Sequence, residues 1–266
     1  MTNTPYNKII LNYKKNGFVI VKNFFKEKDI ENVKIQLLNK ILHGRKSNNF
    51  YYEKINNFKK LRRIEGISDF SAVARKIIYS NRILKLIKDI KKKKFDLFKD
   101  KLNFKYPGGK GYLPHIDGHF FWKDKNNKIQ NGWKKYADDF VNLVIPLEKS
   151  DKKNGCLYLA QKKNIKNLGN SFNKITKKMK MGTPNIRLND KKYFNYTAAE
   201  LEKGDICLFD WKCAHFSKNN DSNRSRMIFY ATYYKKNGNK NIRDNYYLDK
   251  QTSLNDEKNK SLLFSQ

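Results

Sequence analysis

The chain has 266 residues, 39% of them hydrophobic, three cysteines and a formal net charge of +33. That length suits a single domain with a substantial core, and three cysteines without CxxC spacing exclude a disulfide scaffold and point to reduced thiols. The charge invites a nucleic-acid reading, but Lys outnumbers Arg 49 to 9 and is spread along the whole chain with abundant Asn, Ile, Tyr and Phe, so AT-rich codons account for it and specific nucleic-acid binding is not expected.

From the N-terminus, "MTNTPYNKIILNYKK" lacks the basic start, long apolar run and small-residue cleavage site of a secretory signal. No stretch of 18 apolar residues occurs later, so a cytoplasmic protein without membrane association is expected. "GFVIVKNFF" (17–25) reads as a strand, and "KEKDIENVKIQLLNKIL" (26–42) carries Ile30, Val33, Ile35, Leu37, Leu38, Ile41 and Leu42 at helical spacing. Further helices are predicted over 70–79 and 81–92. From about residue 95 the pattern changes to strands separated by polar turns: "FDLFKDKLNFKY" (95–106), "FVNLVIPLE" (140–148), "GCLYLA" (155–160), "GDICLFDW" (204–211) and "RMIFYATYYK" (226–235). Such short strands suit a two-sheet jelly roll. The expected organisation is one domain, 1–266: a mainly helical N-terminal part (1–94) packed on a jelly-roll core (95–235), then a polar C-terminal extension (236–266) without a clear pattern.

Only four histidines occur, and two of them lie within five residues of "GYLPHIDGHFFW" (111–122). His115, Asp117 and His119 alternate with Ile116 and Gly118, so an extended strand would turn all three to one face. Downstream, a strand runs into His215 in "GDICLFDWKCAHFS", and Arg226 opens another strand. His115, Asp117 and His215 together supply a two-histidine, one-carboxylate set, which leaves three coordination positions open on iron(II).

At these residues the sequence resembles the phytanoyl-CoA dioxygenase-like family of iron(II)/2-oxoglutarate-dependent oxygenases. The resemblance begins at "YKKNGFVIVKNFFKEKDIENVK" and continues in family order through "FKYPGGKGYLPHID", "VIPLEKSDKKNGCLYLA" and "KGDICLFDWKCAHFSKNNDSNRSR". It implies a mainly β fold with flanking helices around a double-stranded β-helix, a cupin-like jelly roll with the metal at its open end. It implies iron(II) on His115, Asp117 and His215, with Arg226 on the distal carboxylate of 2-oxoglutarate. Ser217 follows the metal histidine as small polar residues do in the family, and Lys105 and Asn142 are further cosubstrate candidates. The implied activity uses O2, decarboxylates 2-oxoglutarate to succinate and CO2, and hydroxylates a small organic substrate. Related halogenases replace the carboxylate ligand by a small residue; Asp117 is present, so halogenation is not expected.

The chain departs from the family after "NGCL". A Pro-Gly-Ser-His turn is often found there, whereas this sequence reads "YLAQKKNIKNLGNSFN", a loop expected to bear on substrate choice. Between Asp117 and residue 140, "GHFFWKDKNNKIQNGWKKYADD" reads as an aromatic and basic lid. His119, Phe121, Trp122 and Trp133 are substrate-binding candidates, with packing as the plain alternative for the aromatics. The basic residues of the lid would suit an anionic substrate. Arg224 is the rival of Arg226, two residues away on the same face. The alternative function is a jelly-roll protein that binds a metal as a sensor or structural module without turnover, for which a cation at the cosubstrate's far end would have no use.

Overall fold

Two antiparallel sheets face each other in the computed structural model, which describes residues 5–43, 49–118, 121–123, 126, 128–162, 186, 194–238 and 241–255. With strands numbered in chain order, the larger sheet runs β1 (Phe18–Val21), β11 (Ile206–Asp210), β8 (Phe140–Pro146), β13 (Arg226–Lys235), β4 (Phe95–Lys105), β3 (Phe58–Glu65), β2 (Phe50–Ile55). The smaller runs β10 (Tyr196–Ala199), β9 (Leu157–Ala160), β12 (Ala214–Ser217), β5 (Tyr112–Ile116), and β6 (Phe121–Lys123) pairs with β7 (Ile129–Asn131) as a separate ribbon. This is the mainly β, jelly-roll architecture with flanking helices.

The central strands are buried on both faces, which is why "FVNLVIP" is apolar almost throughout rather than alternating. Val141, Leu143 and Ile145 of β8, Leu102 and Phe104 of β4, and Met227, Phe229, Ala231 and Tyr233 of β13 share a core with Ile30 and Leu37 of α2 (Glu27–His43). The same core takes Ile77 and Ile78 of α4 (Ala72–Ile78), which follows the one-turn α3 (Ile67–Phe70), and Ile83, Leu86, Ile87 and Ile90 of α5 (Asn81–Lys91). Tyr13 of α1 (Pro5–Asn16) joins it. The alternate residues Val144, Cys207, Phe209 and Ile228 meet Leu157 and Leu159 between the sheets. Side-chain period two therefore sorts each central strand into a helix-facing half and an inward half. Asn142, Thr232, Lys99, Lys101, Lys105 and Arg226 fall in the inward half, as the cross-strand pairs Thr232 with Asn142 and Lys99, and Arg226 with Lys105, require.

Two elements depart from the sequence expectation. Within the stretch expected to be mainly helical, β2 and β3 form a hairpin turned by Asn56 and Asn57, both at positive φ (45° and 66°), the geometry that matches strand twist and that Asn tolerates. That hairpin and β1 make the N-terminal third a contributor of three strands to the larger sheet. In the polar tail, Ile242–Asn255 is a helix, α6, tied down by ion pairs: Arg243 reaches Asp100 at 2.7 Å and Asp69 at 2.9 Å, and Lys250 pairs with Glu65. All three cysteines are buried free thiols, and among the described residues no helix is long and apolar enough to cross a membrane.

Candidate active site

His115 and His215 lie directly opposite each other on β5 and β12, with ring centroids 4.1 Å apart. Asp117 follows two residues after His115, so the strand period returns its carboxylate to the same face. Its Oδ1 is 3.9 Å from His115 Nε2 and its Oδ2 3.7 Å from His215 Nε2, and the three ligand atoms all lie within 4.8 Å of one another. Each imidazole is oriented from behind: His115 Nδ1 donates to the Leu113 carbonyl at 2.6 Å and His215 Nδ1 to the Cys213 carbonyl at 2.9 Å. Both Nε2 lone pairs are thereby directed at the shared point. Burial, reinforced by His215, lowers His115 to about 3, and burial lowers His215 too. Burial would raise Asp117, but its interactions with His215, Lys99 and His115 outweigh it and leave the carboxyl at about 2. Two neutral imidazoles and one ionised carboxylate form a donor set that fits a divalent cation such as iron(II).

Gly118 turns the chain immediately after Asp117 at φ +74°, and a Cβ there would come within 3.0 Å of the Trp211 ring. Asn142, on the inward side of β8, donates from Nδ2 to Asp117 Oδ2 at 3.0 Å and accepts from Thr232 Oγ1 at 2.7 Å. The structure thus places Asn142 on the carboxylate of the triad, where it fixes that side chain in orientation.

Lys105 and Arg226 face each other across β4 and β13, only 2% and 1% exposed. Like charges in directly opposed positions repel, and burial denies them water. The Lys105 ammonium donates to Ser217 Oγ at 2.9 Å, the Lys218 carbonyl at 2.6 Å and the Gly155 carbonyl at 3.2 Å; Arg226 donates to the same Gly155 carbonyl, and its Nε has no acceptor among the described residues. Ser217 Oγ also accepts from the Tyr112 amide at 3.2 Å, which leaves its proton free to donate. No carboxylate forms an ion pair with Lys105 or Arg226 among the described residues. Burial, with help from Arg226, pulls Lys105 down to about 5. Ser217 lies two residues beyond His215, so this cationic pocket adjoins the metal triad. A buried guanidinium with an orphaned N–H, a buried lysine that an incoming anion would charge, and a free hydroxyl proton fit a carboxylate such as the far end of 2-oxoglutarate.

The rival Arg224 is 47% exposed and paired with Asp151 at 2.6 Å, away from this pocket. Trp133 is buried in an aromatic cluster, 5.5 Å from the Phe98 ring and 5.3 Å from the Phe140 ring, a packing position. His119 lies outside the described residues, and of Phe121 and Trp122 only the backbone is described. Most of the loop after "YLAQ" lies outside them as well.

Other quoted motif residues prove architectural. Gly155 sits at φ +75°, where a Cβ would be 2.4 Å from the Lys218 carbonyl, so the "NGCL" glycine lets its own carbonyl serve both cations. Asp205 of the "GD" pair accepts from Asn23 N, Glu202 N and Lys22 Nζ, closing the turn before β11. The polar link from Thr232 through Asn142 to Asp117 was not foreseen. Its signal was a lone Asn in "FVNLVIP" and a lone Thr in "FYATYY", polar residues inside strands that are otherwise apolar or aromatic.

Residues 13–228 match the family model described as phytanoyl-CoA dioxygenase (PhyH). A 2-aminoethylphosphonate dioxygenase from an uncultured bacterium (HF130_AEPn_1) is 28% identical over 244 residues, spanning 90% of this chain and 85% of that protein. The dioxygenase lolE1 of Epichloe uncinata is 24% identical over 197 residues, 74% of this chain and 68% of that protein. In fold, EctD from S. alaskensis, solved with 2-oxoglutarate and 5-hydroxyectoine, superposes with a TM-score of 0.67 at 13% identity, covering 88% of this chain and 78% of the other.

Proposed function

The chain belongs to the phytanoyl-CoA dioxygenase family and is an iron(II)/2-oxoglutarate-dependent dioxygenase; from that premise we propose the residues that carry the activity and the kind of molecule it acts on. His115 Nε2, His215 Nε2 and the Asp117 carboxylate hold the iron. Arg226, Lys105 and the Ser217 hydroxyl hold the distal carboxylate of 2-oxoglutarate. Asn142 keeps Asp117 aligned. The observation that carries the assignment is the pair of buried basic side chains without a carboxylate partner among the described residues, Lys105 and Arg226, beside the His-Asp-His cluster.

When bound, iron(II) and 2-oxoglutarate supply the oxidising chemistry: one oxygen atom of O2 goes into succinate as CO2 leaves, and the other enters a substrate C–H bond as a hydroxyl. The protein's contribution is positional. The backbone carbonyls behind both imidazoles prevent them from turning, and Asn142 does the same for the carboxylate, so the three ligand groups that would hold the metal keep a fixed orientation. The cations anchor the cosubstrate by the end that does not react. The substrate is a small molecule with an anionic group, a reading supported by the 28% identical relative, which by name oxidises an aminoalkylphosphonate.

The test is anaerobic. Iron(II) followed by 2-oxoglutarate should produce the weak visible charge-transfer band of the chelate. The band should vanish in His115→Ala, weaken in Arg226→Ala with metal binding retained, and persist in Arg224→Ala. Equal bands in both arginine variants would remove Arg226 from the assignment.

A further inference from the structure

The inward face of β4 carries two more lysines, one and two strand repeats above Lys105's neighbour Asn103 and nearer the metal cluster. Lys99 faces Thr232 and Lys101 faces Tyr230 across the β4–β13 ladder. Both are half-buried, and neither forms an ion pair or a side-chain hydrogen bond among the described residues. Each ammonium instead rests on an aromatic face: Lys99 Nζ is 4.0 Å from the Trp133 ring centroid and Lys101 Nζ 5.2 Å from that of Tyr230. An aromatic face steadies a cation without neutralising it.

The neighbouring charges do not neutralise them either. Glu65, across from Lys101 on β3, is taken by Arg63 at 3.0 Å and by Lys250. Asp117 belongs to the metal set, and both lysines act on it and on His215 electrostatically. Among the described residues, Glu65 thus already answers Arg63 and Lys250 and also attracts Lys99, and it forms no ion pair with Lys99 or Lys101. Partly buried lysines without counter-ions are costly to hold, and burial pulls Lys99 down to about 7 against the attraction of Asp117. Two residues apart on one strand face, the two side chains start about 7 Å from each other, a span that a tetrahedral or carboxylate headgroup bridges.

We propose that Lys99 and Lys101 form the site that binds the acidic headgroup of the substrate, a phosphonate, phosphate or carboxylate, and so place a neighbouring C–H bond at the metal. The assignment rests on the oxygenase reading of the same centre. It is separate from the Lys105–Arg226 pocket, which serves the cosubstrate.

The experiment uses anaerobic protein saturated with iron(II) and 2-oxoglutarate, titrated with 2-aminoethylphosphonate, methylphosphonate, β-alanine and acetate while the charge-transfer band is followed. Binding beside the metal should shift the band of the wild type with at least one of these anions. Lys101→Met and Lys99→Met should each weaken that response about tenfold or more while the band formed by 2-oxoglutarate alone is kept. Lys99→Arg should recover part of it, and Lys28→Met, which removes the same charge at an exposed helix position, should leave it unchanged. The inference is overturned if no probe perturbs the wild-type band at millimolar concentration, or if the Met variants respond as the wild type does. Absence of the band in the wild type would instead sink the oxygenase site itself, and loss of the band on adding an anion would mark competition in the cosubstrate pocket. A phosphonate response without a carboxylate response, or the reverse, identifies the headgroup.

Discussion

Binding of 2-oxoglutarate should draw a proton onto Lys105. Burial, with the facing Arg226 and nearby Arg62 adding to it, lowers the ammonium from 10.5 to about 5 in the ligand-free protein. Lys105 is then largely uncharged at neutral pH until an anion binds beside it. A carboxylate placed between Lys105 and Arg226 favours the charged form and returns its pKa toward the ordinary lysine range. The complex holds more protons than the free protein at every pH between those two values, so acid favours binding. About one proton should be taken up per cosubstrate at neutral pH, and affinity should fall about tenfold for each pH unit climbed within that window. Isothermal titration of the anaerobic iron(II) protein with 2-oxoglutarate, in two buffers of different ionisation enthalpy that do not compete as anions, counts the protons directly. Lys105→Met should bind more weakly and take up none. Zero uptake by the wild type would mean that Lys105 is already charged before binding, and the electrostatic reasoning fails. Undiminished uptake in the variant would assign the proton to another group.

Three further outcomes follow from the same geometry. Asn142→Ala removes the 3.0 Å contact to Asp117 and should weaken iron(II) binding about 10- to 100-fold in an anaerobic competition with a chromophoric chelator, whereas Thr232→Val should have a smaller effect in the same direction. Gly155→Ala places a Cβ 2.4 Å from the Lys218 carbonyl at a backbone angle of +75°, so it should cost about 1–3 kcal/mol in chemical denaturation and loosen 2-oxoglutarate, since the displaced carbonyl serves both cations. Burial would raise the Glu65 carboxyl, but Lys250 and Arg63 overcompensate and hold it well below the ordinary carboxylate value. Its stabilisation is therefore present above about pH 4.5 and lost as the pH falls further; Lys250→Met should cost about 1–3 kcal/mol at pH 7 and flatten the acid limb of the stability profile, and an unchanged limb would count against the pairing.

Much of the site is local information. The spacing of His115 and Asp117, the apolar run that delivers His215 and the arginine that opens the next strand are each set by strand period two within a few residues, so they can be read one segment at a time. The long strands β4, β8 and β13 were legible for the same reason, and α2 and α5 by their helical spacing. The β2–β3 hairpin was not, because its turn signal is Asn-Asn rather than Asn-Gly and half of its second strand is Lys and Arg. Helix α6 was not, because its hold on the fold is a set of ion pairs to residues more than 140 positions away along the chain.

What the sequence by itself determined is the set of chemical groups and the periodicity that turns each to one face. What only tertiary structure decided is which groups meet. Arg226 faces inward and Arg224 outward because β13 begins at residue 226, and that boundary is fixed by pairing with β4. Lys105 meets Arg226, as the proposed anion site requires, only because register sets the two opposite each other, and Asn142 reaches Asp117 only because β8 runs behind it. Register between strands distant in sequence is a property of the whole sheet, and the burial that gives those charges their meaning exists only once both sheets have closed over them.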